Sequence, residues 1–391
     1  MSVIGIVCEF NPFHNGHKFL IDSVKKDGDI IVCVMSGNFV QRCEPAFFNK
    51  ETRVKAALMN GADIVLELPF VYATASAEYF AENAVRILDS FGCDKLAFGT
   101  ENADAEELNK TAEIMLSDAF NDRVKEILQN AISYPTARQT AFEEYGMNFD
   151  ISTPNNILAV EYAKAIKKIN SEMEILPVNR VGAGYNDMTA INGFASATHI
   201  RQLISDEENF APYVPQNTYE LYANDINNNN DINYNKYNLV TLSLLRIRAY
   251  EDVSNIAYMS EGLENRIVNA IRNNTNLDAL YNDAKTKRFT HSRIRRAVLS
   301  MIFGITADDI EIPAPYCRLL GFNTEVSGKM GELVKQCKLP FIVNYADFEK
   351  LNSNIAKHIF EFECKSTDIY NLSLSKPKNC LKELTYQPVK I

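Results

Sequence analysis

Over the first half of the chain, short apolar runs bounded by polar and turn residues alternate with segments whose apolar positions return every three or four residues. The runs "VIGIVCE" (3–9), "IIVCVMSG" (30–37), "ADIVLELP" (62–69), "KLAFGT" (95–100) and "EILPV" (174–178) are nearly continuous in apolar character. Strands covered on both faces read this way. Between them, residues 17–26, 50–60, 77–90 and 156–168 carry helical spacing. Strands alternating with helices predict an α/β fold built on a Rossmann-like parallel sheet. Such a sheet takes its ligands beyond the carboxyl ends of the strands, so the loops beginning at Glu9, Ser36, Pro69, Gly99 and Asn179 are expected to share one rim.

The pattern changes near residue 223. Residues 224–238, "NDINNNNDINYNKYN", are Asn-rich and almost without aliphatic side chains, which reads as a solvated linker or long loop over 223–238. Beyond it, "LVTLSLLRIRAY" (239–250), "GLENRIVNAIRN" (262–273) and "RIRRAVLSMIFG" (293–304) each offer an apolar stripe, and strand-like runs are few. The expected organisation is an α/β domain over 1–222, the linker, and a mainly helical domain over 239–391. A chain of 391 residues exceeds what one hydrophobic core usually spans, which agrees with two domains. No internal repeat is evident.

Composition narrows the class. With 46% hydrophobic and 23% charged residues the chain has the balance of a folded protein and not of a disordered one. No apolar run reaches membrane-spanning length, and the N-terminus lacks the basic start of a signal peptide, so a cytoplasmic protein without a membrane partner is expected. Eight cysteines are scattered without a close CxxC pair, which argues against a zinc site or a disulfide framework. A net charge of −10 argues against a nucleic-acid partner, yet residues 239–391 sum to +4 and residues 1–238 to −14. The positive field belongs to the C-terminal half.

Candidate chemistry concentrates in "FNPFHNGHKFL" (10–20), which holds two of the five histidines. Placed after the first strand and opening a helix, it turns backbone N–H groups toward the crevice, where an anion such as a nucleotide phosphate is favoured. Gly16 lets the backbone come close. His14 and His17, one helical turn apart, can donate to phosphate oxygens as charge builds in a transition state. A pair of capping or surface histidines is the plainer alternative. A metal site finds no third ligand nearby in sequence. Further on, "ASATHIRQLI" (195–204) sets Ser196 and Thr198 at a helix start with Arg201 one turn on, a second anion cradle or simply an N-cap. "SGNFVQR" (36–42) offers Arg42 as a further anion contact.

The His14-Asn15-Gly16-His17 motif followed by Ser196-Ala197-Thr198-His199-Ile200-Arg201 resembles the HxGH nucleotidyltransferase superfamily, whose members attack the α-phosphate of ATP and release pyrophosphate. More closely, "EFNPFHNGH", "MSGNFVQRCEPA", "GADIVLELP", "FGTE", "TPNNILAVEY", "RVGAGYND", "EGLENRI" and "THSRIRR" together, in order from Gly5 to about Gly304, resemble the tRNA(Met) cytidine acetate ligases. That resemblance implies activation of acetate with ATP to acetyl-adenylate and pyrophosphate, then transfer of the acetyl group to N4 of the wobble cytidine of elongator tRNA(Met). Carried over by position, the ATP site comprises Val7, Cys8, Glu9, Phe10, Asn11, Pro12, Phe13, His14, Asn15, Gly16, His17, Lys18, Phe19 and Leu20, with Gly99, Asn155, Arg180 and Val181 closing around the nucleotide. Cys43 stands where the family pattern has Gly, and Asn186 where it has His.

These residues have physical jobs to fill. At a strand end, Gly99 allows adenine or ribose to lie against the backbone, although a turn glycine looks the same. Asn155 can bond a ribose or cytidine, or cap its helix. Arg180 offers a fixed fork to phosphate or acetate, or a surface ion pair. Lys285, Lys287, Arg288, Arg293, Arg295 and Arg296 form a basic stretch without an intervening acid, suited to a phosphate backbone or to a solvated helix face. Tyr281 and Phe289 beside it suit base stacking or the core. Mg²⁺ is expected to accompany the triphosphate without a dedicated protein site. Two other readings remain open: an adenylyltransferase for a small phosphorylated cofactor precursor, and a nonenzymatic RNA-binding protein.

Overall fold

The structure, a computed structural model, describes all residues except 102, 130, 131, 133, 147–150, 152 and 180–192. All five expected strands form: β1 Val3–Cys8, β2 Ile30–Ser36, β3 Ile64–Leu68, β4 Lys95–Thr100 and β5 Glu174–Asn179. They lie parallel in the order β3-β2-β1-β4-β5, with Val3 opposite Ile30, Val32 opposite Ile64 and Lys95 opposite Glu174. The chain therefore moves to one side of β1 for β2 and β3, then to the other for β4 and β5. A crevice opens at this reversal, beyond the carboxyl ends of β1 and β4.

The expected helices follow with shifts of a few residues at their ends: α1 Asn15–Val24, α2 Lys50–Leu58, α3 Ala77–Phe91, α4 Pro154–Lys168 and, bearing the second motif, α5 Ala197–Ser205. Each starts on a defined signal. His14, Asn49 and Ser196 cap α1, α2 and α5 through their side chains, and Pro154 opens α4 at the position where its missing N–H costs nothing. Helix α3 packs across β1, β2 and β3 with Phe80, Val85, Leu88 and Phe91 buried.

Two features depart from the sequence reading. Residues 223–238 are not a solvated linker: α6, Gln216–Asn227, runs into the Asn-rich stretch, and Asn233 caps α7, Tyr234–Arg248. Between them Asp231 bridges to Phe48 and Ile232, 4% exposed, bridges to Leu374. Polar composition concealed this packing because asparagine caps and turns satisfy backbone groups as water would.

The sheet also crosses the expected boundary. Strand β6, Cys317–Phe322, lies antiparallel to β3 with Val65 opposite Gly321, and the edge strand β7, Val389–Lys390, pairs with β6. Arg318 interrupts the apolar run of β6, and its charge is absorbed internally. Its Nη1 sits 2.7 Å from Glu67 and from Glu383, while Lys50 Nζ lies 2.6 Å from both of those carboxylates and 3.2 Å from Glu363. The cluster is fully buried. Three carboxylates against two cations leave an excess negative charge, and burial together with its acidic neighbours pushes Glu363 up to about 8. Glu363 lies on α10, Asn354–Leu372, once α8, Leu263–Asn273, and α9, His291–Phe303, have been passed. Through this cluster the C-terminal helix is fastened to β3 and α2.

Candidate functional site

The crevice at the β1/β4 reversal contains a cavity of about 280 Å³. Its floor is the end of β1, Val7 and Cys8, with Glu9 just beyond; Gly99 of β4, Val178 of β5, Asn155 and Tyr162 of α4 and the tip of α5 complete the wall. Ser196, Thr198 and Arg201 therefore face the same space as His14 and His17.

The geometry of the histidine pair follows from the helix start. His14 is the N-cap: its Nδ1 accepts the Gly16 N–H at 3.0 Å, and the His14 N–H donates in turn to His17 Nδ1 at 3.2 Å. A ring nitrogen that accepts from a backbone N–H carries no proton, so each ring is held as the Nε2–H tautomer. The rings stack with centroids 3.7 Å apart and an interplanar angle of 24°. Each ring therefore offers Nε2–H as its donor position. A Cβ at position 16 would stand 2.9 Å from His14 Cε1, so any residue larger than Gly16 displaces that ring. Phe10 meets the His17 ring edge-on at 4.9 Å.

The two motifs touch directly. Arg201 donates from Nη1 to the Asn11 carbonyl at 2.6 Å and from Nη2 to Thr198 Oγ1 at 3.2 Å. Ser196 Oγ accepts the His199 N–H at 3.1 Å, leaving the amides at the helix tip beside the cavity. Asn11 Oδ1 accepts the Phe47 N–H at 2.7 Å. The loop after β1 is thus held from both sides.

Not every residue expected from position lies on the cavity. Of Val7 to Leu20, Pro12, Phe13, Asn15 and Lys18 do not line it. Phe13 is buried with its N–H on Tyr222 Oη at 2.9 Å; Asn15 donates to the carbonyls of Gly193 and Pro212, each at 3.0 Å; Lys18 pairs with Asp22 along the outer face of α1. A helix start turns only some of its residues inward. Asn155 lines the cavity and also donates to Glu101 at 3.0 Å. Arg180, Val181 and Asn186 lie outside the described residues.

Sequence reasoning missed several contributors. Phe98, Leu158, Tyr162 and Phe194 add apolar and aromatic surface to the cavity, and in sequence they look like ordinary core. Arg53 of α2 is wholly buried. It donates to the Glu9 carbonyl at 2.6 Å, the Ser36 carbonyl at 3.2 Å, the Phe48 carbonyl at 3.0 Å and the Gly37 carbonyl, tying the ends of β1 and β2 together. In sequence it is one more helical arginine. A short hairpin, Phe39–Val40 with Glu44–Pro45, contributes Gln41 and Glu44 to the lining beside the expected Arg42. Cys43 in its turn has φ +59°, a left-handed conformation in which glycine is unstrained, which accounts for Gly in the family pattern there. The cysteine is accommodated with its Sγ on the Thr74 carbonyl at 3.2 Å.

The basic stretch divides. Lys285, Lys287 and Arg288 are exposed, whereas Arg293, Arg295 and Arg296 of α9 are half-buried and engaged. Arg288 and Arg293 share Glu261 at 2.8 Å each, Arg296 donates to the Ala75 carbonyl at 3.0 Å, and Arg295 pairs with Glu44 on the cavity wall, its guanidinium over the Tyr281 ring. Tyr281 and Phe289 are buried. Among the described residues, no helix is long and apolar enough to cross a membrane.

The HIGH Nucleotidyl Transferase family model matches residues 1–384. The chain is similar to the tRNA(Met) cytidine acetate ligase of Acetivibrio thermocellus, 36% identical over 96% of each chain. It is also similar to that of Thermosipho africanus, 37% identical over 96% of this chain and 91% of the other. Its fold resembles solved structures of Thermotoga maritima TmcAL at 31% identity. The apo form matches with a TM-score of 0.92 over all of both chains; the form bound with alpha-thio ATP matches with 0.91 over all of this chain and 99% of the other.

Proposed function

The chain belongs to the HIGH nucleotidyl transferases and, within them, to the tRNA(Met) cytidine acetate ligase family, and from that premise we propose that it activates acetate with ATP as acetyl-adenylate and transfers the acetyl group to N4 of the wobble cytidine of elongator tRNA(Met), releasing pyrophosphate and AMP. The observation that carries the reading is the meeting of two anion-seeking elements, the His14/His17 pair and the Ser196–Arg201 helix tip, on one cavity.

Each element has a task in the first step. Acetate is a poor electrophile until its carboxylate attacks the α-phosphate and pyrophosphate departs. That displacement needs the reacting groups held in line and the phosphoryl charge stabilised. The Nε2–H groups of His14 and His17 supply fixed donors, the amides at the start of α5 and the Ser196–Thr198 edge hold the departing phosphates, and Arg201 locks the two loops together. The aromatic side with Gly99, Asn155 and Tyr162 receives adenine and ribose. Mg²⁺ enters on the triphosphate as part of the substrate.

In the second step the wobble base leaves its stack to reach the adenylate, which requires the tRNA to lie against the cavity mouth. The exposed Lys285, Lys287 and Arg288 supply phosphate contacts there, and residues 239–391 act as the tRNA-binding part. The test is incubation with labelled acetate, ATP and total tRNA followed by nucleoside analysis. Label in N4-acetylcytidine is expected; acetate-independent transfer of AMP to a small phosphate would favour the cofactor adenylyltransferase, and tRNA binding without pyrophosphate release a nonenzymatic binder.

A further inference from the structure

Among the described residues two carboxylates line the cavity, Glu9 and Glu44. Glu44 is engaged by Arg295. Glu9 stands at the carboxyl end of β1, beside the histidine motif, and its setting is fixed on two counts: Oε1 accepts the Gln41 N–H at 2.6 Å, and its backbone carbonyl accepts Arg53 at 2.6 Å. Among the described residues none donates a hydrogen bond to its Oε2, and the residue lines the cavity.

From this placement, and resting on the function proposed above, we infer that Glu9 is the general base of the acetyl-transfer step, accepting on Oε2 the proton that N4 of the cytidine loses. The N4 amine is a weak nucleophile because its lone pair is delocalised into the ring. As N4 bonds to the acetyl carbon, the bond from that carbon to the AMP phosphate oxygen breaks, AMP leaves as the anion, and one N4 proton passes to the carboxylate. Protonated Glu9 then returns it to solvent. A carboxylate is also the side chain that accepts from the exocyclic amine of cytosine, so the same oxygen aligns the base before attack.

The surroundings suit a base. Burial raises the Glu9 pKa, and the Gln41 N–H, Arg53 from α2, Arg42 from the hairpin and Arg201 from α5 pull it back, leaving it above its ordinary value. Cys8, Cys43 and Tyr162 also face it, with their own pKa values raised by burial, and His14 and His17 line the same cavity. The base form is therefore lost, as pH falls, sooner than that of an exposed carboxylate.

Glu9→Gln keeps an acceptor for the Gln41 N–H. Acetate-dependent ATP–pyrophosphate exchange reports the first step and acetyl transfer from preformed adenylate to tRNA the second. Removal of a general base costs about 10² to 10⁴-fold, so transfer is expected to fall at least about 100-fold further than exchange. The acid-side decline of the wild-type transfer rate should vanish in the variant, and Glu9→Asp should restore part of the transfer. Equal losses in both steps, or a wild-type transfer rate flat with pH on the acid side of neutrality, would overturn the assignment; the second result decides it even where Glu9→Gln does not fold. Wild-type protein with neither exchange nor transfer would instead overturn the proposed function.

Discussion

On one wall of the cavity, backbone holds side chain: the amide of Gly16 fixes His14, the amide of His14 fixes His17, and the amide of His199 fixes Ser196. On the opposite wall, side chain holds side chain across long stretches of sequence, Glu44 with Arg295 and Arg42 beside them on a two-strand hairpin. The first wall is a local device. Its geometry is set within four residues and survives changes elsewhere, which suits donors that must meet a transition state without reorganising. The second depends on α9 being packed against the hairpin. A wall of that kind can rearrange its ion pairs when a polyanion arrives, and it suits recognition of a large partner.

The largest effect should come from removing the local device. His14→Ala and His17→Ala are each expected to lower acetate-dependent pyrophosphate exchange by about 10² to 10³-fold, the usual loss for one transition-state donor. Thermal unfolding should shift only by what a lost cap costs, about 1 kcal/mol. Normal exchange in either variant would remove the comparison's first half. Gly16→Ala comes next. Its Cβ would meet His14 Cε1 at 2.9 Å, so the ring must turn, and a loss of tens of fold in exchange with tRNA affinity retained is expected.

The basic stretch that supplies Arg295 to the second wall is probed by salt. Replacing Lys285 and Lys287 together with Gln should weaken tRNA binding several-fold, and the slope of log affinity on log salt should fall by about 0.7 to 0.9 per lost contact. Arg293→Gln, whose guanidinium is already held by Glu261 and Ser260, should change that slope less. Equal slopes for the two variants would show that the engaged arginines are released on binding. The smallest effect is expected at the hairpin turn: Cys43→Gly relieves a left-handed residue worth about 1 to 2 kcal/mol and forfeits a buried thiol contact, so denaturant unfolding should move by about 1 kcal/mol or less.

The same contrast explains what could be read in the sequence. The five parallel strands were legible because burial on both faces leaves a continuous apolar run, and the HNGH and SATHIR stretches because a cap, a glycine and a helix start are written in adjacent letters. What escaped was set at a distance. Strand β6 carries Arg318, which reads as polar until Glu67 and Glu383 neutralise it. Arg53 looks unremarkable in sequence, and becomes part of the site only when the ends of β1 and β2 are drawn together. The Asn-rich stretch reads as solvent-exposed although its caps and bridges hold it against Phe48 and Leu374. The basic stretch overstates its free charge, since four of its six members contact Glu44, Glu261 or the Ala75 carbonyl. The correspondence of Cys43 to a family glycine was visible beforehand, and its reason, a positive φ, needed the backbone.

The most direct test of the central claim is a crystal structure with a nonhydrolysable ATP analogue. The account predicts the α-phosphate within hydrogen-bond reach of Nε2 of His14 and His17, with the outer phosphates against Ser196, Thr198 and the start of α5. An ordered nucleotide lodged elsewhere, or one whose phosphates meet only one of the two motifs, would contradict it.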